Sequence, residues 1–305
     1  MVNRLMKSKF RVLLWCVIGT FLFLPGHIAP VSAQQVKQSN TLHVHAQAYQ
    51  PIADLWTKHM NETGAIGRTW VGPIMGNGVP DRLHKHGHRH TIIYVPSQYN
   101  PAQPTQLLIW LHGHNGFNKF GDRILRHVDA RFKRGDNIIV IAVEQPWSHW
   151  TKTRTSRNGT GPFRRPGEFE TWMSYVFNIL KSYGVPVQRI SPRNVTLYGH
   201  SAGGSGIKSM ALSGALEILQ PGKIVFSDST YGRWFDVVYD KFLKQHPDTH
   251  VYVLTKKWGP PWKSMVRFYR ERRNISPNIK HIALSKGWSH KRIGDNCLLY
   301  PETPF

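Results

Sequence analysis

The chain has 305 residues, with 40 Lys and Arg against 17 Asp and Glu, so its formal net charge is +23. Hydrophobic residues make up 40% and aromatic residues 12%, enough to bury a sizeable core, which excludes disorder of the whole chain. A single apolar run near spanning length excludes a multi-pass membrane protein, and 2 cysteines exclude a disulfide-dense scaffold.

The first 33 residues have the anatomy of a secretory signal peptide. Basic residues precede a nearly continuous apolar run over 12–24, which ends at Pro25 and Gly26. Val31-Ser32-Ala33 then supplies the small residues of a cleavage site. An uncleaved anchor is the alternative, but the run is shorter than the roughly 20 residues that a spanning helix needs. We predict cleavage near Ala33 and a mature protein that is secreted or periplasmic.

Residues 34–68 are polar and weakly patterned, and we interpret them as an N-terminal leader with one short helix, ahead of a single domain over 69–305. Within that domain, apolar strand-like runs alternate with helical patterns. The runs cover 91–95, 107–111, 138–143, 195–198, 223–227, 250–255 and 279–284, and the helical patterns cover 169–180, 207–218, 234–242 and 262–269. Continuous apolar runs indicate strands buried on both faces. The pattern predicts an α/β fold, a mostly parallel central sheet with helices on both faces.

The most informative stretch is Gly199-His200-Ser201-Ala202-Gly203, a Gly-x-Ser-x-Gly motif. It follows an apolar strand directly and leads into a helical pattern, which is the context that a nucleophile elbow requires. The turn is too tight for side chains at its glycines, and it holds the serine in an uncommon backbone conformation with its oxygen exposed. The helix N-terminus behind it favours developing negative charge. These features predict that Ser201 is a nucleophile.

With this elbow, a His-Gly loop and a C-terminal histidine, the chain resembles the α/β-hydrolase superfamily, including secreted polyester depolymerases and feruloyl-type esterases. The loop is His112-Gly113-His114-Asn115-Gly116, directly after a buried strand. The resemblance implies that the backbone N–H groups of Ala202 and His114, with Gly113 next, bind the oxyanion of an acyl-transfer intermediate. It also implies that no metal or organic cofactor is needed. A glycine turn carrying surface histidines is the alternative for the loop.

The general base implied by the resemblance follows the last strand, where Lys286-Gly287-Trp288-Ser289-His290 stands. Three other histidines lie downstream of the elbow: His246, His250 and His281. The first ends a helical pattern, and the other two begin strands at the wrong end of the sheet. Position therefore favours His290 as the base.

The acid departs from the common pattern of the family. The penultimate strand ends in Leu254-Thr255-Lys256 without a carboxylate, whereas the strand before it ends at Asp228. From that edge Asp228 can orient an imidazole and stabilise its cation. A cap on the following turn is the alternative role for Asp228. Asp295 is a reserve candidate for the acid, and Glu144, at the end of an earlier strand, is another possible site residue.

A basic, aromatic segment over 145–167 leaves the carboxyl end of a strand, the edge at which open α/β sheets bind ligands. We predict that Trp147, Trp150 and Arg154 contribute to substrate binding there, on a rim suited to an anionic, glycan or aromatic ester. A solvated basic surface is the alternative interpretation.

Two further clusters bear on partners. One helix face carries four basic residues, which fits an anionic envelope or polyanion, although solvated charge is the more common explanation of such a stripe. They are Lys263, Arg267, Arg270 and Arg273. Four histidines alternate ahead of a strand, a spacing that zinc or copper can use: His84, His86, His88 and His90. No carboxylate beyond Asp81 accompanies them, so we predict no metal site.

Taken together, these residues predict a secreted serine hydrolase that cleaves a carboxylic ester, in a small molecule or a polymer, through an acyl-enzyme. Ser201 attacks, His290 carries the proton, and Asp228 holds His290. A peptidase or amidase uses the same groups and is one alternative. A non-catalytic polyanion-binding protein on a hydrolase scaffold is another. The sequence gives no oligomeric state.

Overall fold

Nine strands form one sheet in the computed structural model, which describes residues 40–73, 90–113, 121–144, 163–285 and 287–296. The predicted signal peptide lies outside these ranges. The strands are β1 Thr41–Val44, β2 Gly67–Pro73, β3 His90–Pro96, β4 Gln106–Leu111, β5 Ile138–Val143, β6 Val195–His200, β7 Lys223–Ser227, β8 His250–Lys256 and β9 Ile279–Leu284. Their order across the sheet is β1-β2-β3-β5-β4-β6-β7-β8-β9.

The sheet is mostly parallel, as predicted. Strands β5, β4, β6, β7, β8 and β9 run side by side in the same direction. Strand β3 is antiparallel to both of its neighbours, β2 and β5, while β1 pairs with β2 in parallel. The six parallel strands therefore bring their carboxyl ends to one edge of the sheet.

Helices cover both faces of the sheet, which confirms the second part of the predicted fold. They are α1 Gln50–Thr63, α2 Gly121–Lys133, α3 Glu168–Ser182, α4 Gly203–Ser213, α5 Ala215–Leu219, α6 Trp234–Val238 with a π-helical turn Tyr239–Leu243, α7 Pro260–Glu271 and α8 His290–Asn296. Alternate residues of β5 enter opposite cores: Ile139 and Ile141 pack with Trp172 of α3, whereas Val140 packs with Trp56 of α1. Burial on both faces explains the continuous apolar strands of the sequence.

The residues interpreted as a leader include both β1 and α1. Helix α1 is longer than expected, with 14 residues, and it buries Ile52, Trp56 and Met60 at a spacing of four. Its polar composition hides this stripe, which still packs into the core because the three residues share one helix face. The described part of the leader is thus packed against the sheet, while the boundary at residue 69 stays a prediction.

The helical pattern over 207–218 is two helices rather than one. Gly214 separates α4 from α5 and adopts a left-handed conformation, with φ of 84°. Glycine takes this conformation without the clash that a Cβ atom would cause, so it ends α4 there. No helix in the described ranges is long and apolar enough to cross a bilayer.

Candidate active site

Three of the predicted site residues follow neighbouring parallel strands at the same edge of the sheet. Ser201 comes directly after β6, Asp228 directly after β7, and His290 begins α8 after β9. Ligands of open α/β sheets bind outside the carboxyl ends of the strands. The chain order and the sheet order therefore bring the predicted nucleophile, acid and base to the expected binding edge.

Ser201 has the strained backbone that a nucleophile elbow predicts. Its φ is 53°, in the left-handed region that few residues other than glycine adopt. A Cβ atom on Gly203 would lie 2.2 Å from the Leu111 carbonyl oxygen, and one on Gly199 would lie 2.9 Å from the Gly203 carbonyl carbon. The two glycines let β4 and α4 approach the turn closely. The Ser201 N–H donates to the Ser227 carbonyl oxygen at 3.0 Å, which ties the turn to β7.

Asp228 and His290 are in direct contact. His290 Nδ1 donates to Asp228 Oδ2 at 2.6 Å, and the Lys256 N–H donates to Asp228 Oδ1 at 3.1 Å. The buried carboxylate is thus fixed by one imidazole and one backbone amide. The backbone N–H of Asp228 donates to the Leu254 carbonyl oxygen at 2.7 Å. With Nδ1 engaged, the imidazole keeps Nε2 for proton exchange. A contact of this kind can orient an imidazole and stabilise its cation, which is what the predicted roles of the two residues require.

His200 places a second imidazole beside this pair. Its ring centroid lies 4.6 Å from that of His290, and its Nδ1 donates to the Ser227 carbonyl oxygen at 2.9 Å. Burial, with a smaller contribution from His290, lowers the pKa of His200 to about 3. His200 is therefore neutral at ordinary pH.

Tyr231 lies near both Ser201 and Asp228. Burial and the Asp228 carboxylate raise the pKa of Tyr231 to about 12, against an opposing influence of Ser201, so the phenol stays protonated. Among the described residues, no hydrogen bond joins the Ser201 and His290 side chains. Catalytic hydrogen bonds are often long in apo structures and tighten when substrate binds. Tyr231 belongs to no motif that the sequence reveals.

Two of the three predicted oxyanion residues lie at the elbow. Ala202 is buried at the N-cap of α4, and no carbonyl in the described ranges accepts its N–H. Gly113 contacts the elbow so closely that a Cβ atom there would lie 2.7 Å from Ser201 Cβ. His114, the third, lies outside the described residues. The described start of the loop after β4 therefore borders Ser201, as the resemblance implies.

The competing acids and bases do not join this pair. Glu144 pairs with His90 in the buried core, and its N–H donates to the His90 carbonyl oxygen at 2.9 Å. His246 bonds to Glu217 at 2.9 Å, and His281 to the Thr255 hydroxyl at 2.8 Å. His250 begins β8 at the opposite edge, as expected from the sequence. The Asp295 side chain lies outside the described residues.

Several predicted partner residues have no described position, among them Trp147, Trp150 and Arg154 of the substrate rim and His84, His86 and His88 of the histidine cluster. Within the described ranges, no group of three or more His, Cys, Asp or Glu side chains could hold a metal ion. In the basic helix face, Arg267 turns inward and donates to Asp236 Oδ2 at 2.8 Å and to the Gly232 carbonyl oxygen at 2.7 Å. Its charge is therefore already partnered within the protein.

No protein-family model matches the chain, and no curated protein does. Solved structures do resemble it in fold. One is the feruloyl esterase module from Clostridium thermocellum complexed with sinapinate, at 12% identity and TM-score 0.48, with 76% of this chain and 86% of that chain covered. Another is LpqC, a poly(3-hydroxybutyrate) depolymerase from Bordetella parapertussis, at 12% and 0.48, with 82% and 95% covered. A third is the esterase LipW from Mycobacterium marinum, at 11% and 0.43, with 83% and 81% covered.

The architecture itself identifies the fold. A mostly parallel sheet carries helices on both faces, and a strained serine stands on a strand-to-helix turn at its carboxyl edge. The predicted acid and base follow that serine in the chain order that such sheets use, Ser201, Asp228, His290. The chain has an α/β-hydrolase fold.

Proposed function

We propose that this protein is a serine hydrolase that cleaves carboxylic esters through a covalent acyl-enzyme. The observation that carries the proposal is the 2.6 Å contact between His290 Nδ1 and Asp228 Oδ2, at the edge where Ser201 occupies a strained elbow. A buried carboxylate that holds an imidazole at the same sheet edge as a serine is the arrangement that activates a weak nucleophile. Glu144 also pairs with a histidine, His90, and Glu217 with His246, but Glu144 precedes the elbow in the chain and Glu217 lies in α5 rather than after a strand.

In the first step, His290 Nε2 takes the Ser201 hydroxyl proton as Oγ forms a bond to the acyl carbon. The carbonyl π electrons move to oxygen, and the Ala202 N–H, together with a donor from the Gly113–His114 loop, binds the resulting oxyanion. Asp228 stabilises the imidazolium. When the oxyanion collapses, the C–O bond to the alcohol breaks and His290 returns its proton to the departing alkoxide.

Water completes the cycle by the reverse roles. His290 accepts a proton from a water molecule that attacks the acyl-enzyme, and the collapse of the second tetrahedral intermediate releases the carboxylic acid and restores the Ser201 hydroxyl. No step requires a metal or an organic cofactor. An amide substrate would be cleaved by the same steps of bond formation and breakage. A peptidase or amidase therefore differs from an esterase in the leaving group alone.

A fluorophosphonate probe tests the nucleophile. We expect the wild-type chain to be labelled and Ser201→Ala to lose labelling. Ser182→Ala, at an exposed serine on α3, serves as the matched control and should label like the wild type. Absence of labelling in a folded wild-type protein, together with salt-dependent retention on heparin, would favour the polyanion-binding alternative.

A substrate panel then tests the leaving group. We expect turnover of p-nitrophenyl esters and little turnover of peptide anilides, because p-nitrophenolate is a better leaving group than the nitrogen of an anilide. Faster cleavage of the anilides would assign the site to an amidase or peptidase.

We also propose export. The basic, apolar and small-residue segments of residues 1–33 support it. Mass analysis of the protein recovered outside the cytoplasm should give a chain that begins at Gln34. An intact Met1 in the membrane fraction would indicate an uncleaved anchor instead.

A further inference from the structure

Trp258 occupies a turn position that suits glycine. The turn follows β8, and it is closed by the Gly259 N–H, which donates to the Lys256 carbonyl oxygen at 3.0 Å. Trp258 is its third residue and has φ of 71°. Turns with a positive φ at this position favour Gly or Asn, because a side chain there clashes with the backbone. A bulky aromatic residue is therefore strained at this point.

Packing does not account for the tryptophan. Its side chain is 53% exposed, although it contacts Trp262 with ring centroids 4.6 Å apart and planes inclined by 59°. Lys257 Nζ lies 5.3 Å from the centroid of the exposed ring. A residue that strains its backbone without filling the core is typical of a ligand contact.

The turn is tied to the catalytic edge by hydrogen bonds. The Lys256 N–H donates to Asp228 Oδ1, and the Lys257 N–H donates to the Leu284 carbonyl oxygen at 2.9 Å. On the other side, the Thr230 hydroxyl donates to the Pro261 carbonyl oxygen at 3.1 Å. The indole therefore stands on the same edge of the sheet as the predicted acid, on backbone that is held in place.

The charged residues of the segment that carries the indole are all basic. Residues 256–263 contain three lysines and no acidic residue, and Lys257 and Lys263 are exposed. A flat apolar ring with an ammonium group 5.3 Å from its centroid matches a ligand that combines an apolar ring face with carboxylates. The C–H face of a sugar ring packs on an indole by dispersion and exclusion of water, and uronic acid carboxylates pair with lysine.

We propose that Trp258, Trp262, Lys257 and Lys263 form a binding site for an acidic polysaccharide, with one sugar ring stacked on Trp258. Because the two tryptophans pack against each other, the surface offers one exposed indole face and not a row of separate rings. Single-stranded nucleic acids stack successive bases on successive aromatic residues, and this geometry suits them less well. The site goes beyond ester hydrolysis, because binding requires no reaction at Ser201.

Calorimetric titration of the full chain with hexagalacturonate, and with neutral xylohexaose, tests the site. We expect the acidic oligomer to bind at least roughly tenfold more tightly than the neutral one. Trp258→Gly should weaken that binding by a similar factor while Tm stays equal or rises, because glycine relieves the strained φ. Lys257→Gln should weaken it less, and the difference should shrink at high salt.

Leu212→Ala is the matched control, since Leu212 is a similarly exposed apolar residue, 54% exposed, on α4. It should bind hexagalacturonate like the wild type, and so should Ser201→Ala, which separates this proposal from the proposed hydrolysis. Unchanged affinity in Trp258→Gly would overturn the proposal. So would a fall in its Tm that accompanies the lost binding, or tighter Trp258-dependent binding of oligothymidylate or phosphatidylserine vesicles.

Discussion

The imidazole rings of His200 and His290 lie 4.6 Å apart, inclined by 31°, yet they differ in exposure. His200 is buried, whereas the His290 side chain is 41% exposed. Because burial lowers the pKa of His200 to about 3, that ring carries no charge at ordinary pH. His200 therefore does not take up a proton in place of its neighbour.

This difference predicts a simple pH profile. Log kcat/KM for a p-nitrophenyl ester should fall with a slope no steeper than one on the acid side, since the buried His200 stays neutral there and adds no second protonation. The measurement is a rate profile from pH 4.5 to 9. A slope of two would mean that His200 also gains a proton in this range, against its burial.

Replacement of the acid should stop catalysis without unfolding the protein. Asp228→Asn keeps the size of the side chain but favours the wrong tautomer of His290, and we expect kcat to fall roughly 10³-fold or more. Steady-state rates and thermal melts measure the two effects. Asp248→Asn, at an exposed aspartate, should leave both unchanged. Wild-type rates in Asp228→Asn would move the acid elsewhere.

Glu144 should show the opposite behaviour. Its carboxylate pairs with His90 in the buried core. Glu144→Leu leaves that imidazole without its carboxylate, and we expect the free energy of unfolding to fall by roughly 3–5 kcal/mol. Urea titration measures this loss, and kcat of the folded fraction should be unchanged. A large fall in kcat at full stability would make Glu144 a site residue.

Gly204, the residue after the Gly-x-Ser-x-Gly motif, lies where a side chain would not fit. A Cβ atom on Gly204 would lie 2.0 Å from the Ser229 carbonyl oxygen, a backbone atom that cannot rotate away. Gly204→Ala should therefore lower the free energy of unfolding by about 1–3 kcal/mol. Gly287→Ala is the control, since the nearest atom to its Cβ is Ser285 Oγ at 4.0 Å. Equal melting curves for both variants would contradict the close approach of α4 to the chain after β7.

Buried histidines should make the fold sensitive to acid. Burial, with Arg131 and Arg134, lowers the pKa of His127 to about 3. Between about pH 3 and about pH 6.5, His127 is protonated in the unfolded chain but not in the folded chain. The free energy of unfolding therefore falls as the pH falls through this range. The loss amounts to about 2 kcal/mol for this residue between pH 7 and pH 5.

His127→Leu should remove that share of the pH dependence. Denaturation by urea at pH 7 and pH 5 measures it, as the difference in unfolding free energy between the two values. The exposed residue His250 is the control, and His250→Gln should retain the wild-type dependence. An identical dependence in His127→Leu would mean that His127 is protonated in the folded protein.

Seven of the nine described strands, β3 to β9, could be predicted from sequence because most of them are buried on both faces and have continuous apolar runs, whereas β1 and β2 were not predicted. The elbow could be predicted because its glycines and serine are adjacent in sequence. Helix α1 was underestimated, since three apolar residues at a spacing of four are hidden among polar neighbours. Contacts between distant residues leave no such mark: His90 and Glu144 are 54 residues apart, and they meet through strand pairing alone.

Asp228 and His290 are a different case, because the sequence predicted their contact across 62 residues. The prediction rested on the positions of the two residues at the ends of strands. Once the order of the strands is known, these positions determine which side chains come into contact. Tyr231 could not be predicted in this way. It lies in the chain between β7 and α6, and nothing in its neighbourhood marks it as the partner of Ser201.

The location of Asp228, the proposed acid, after β7 has a consequence for the connection after β8. That connection contacts the Asp228 carboxylate through one main-chain N–H, that of Lys256. Any residue except proline provides the same amide, so the segment can be exchanged for one of another length or composition beyond Lys256 while the reaction centre stays intact. It is the natural place to graft new specificity onto this scaffold.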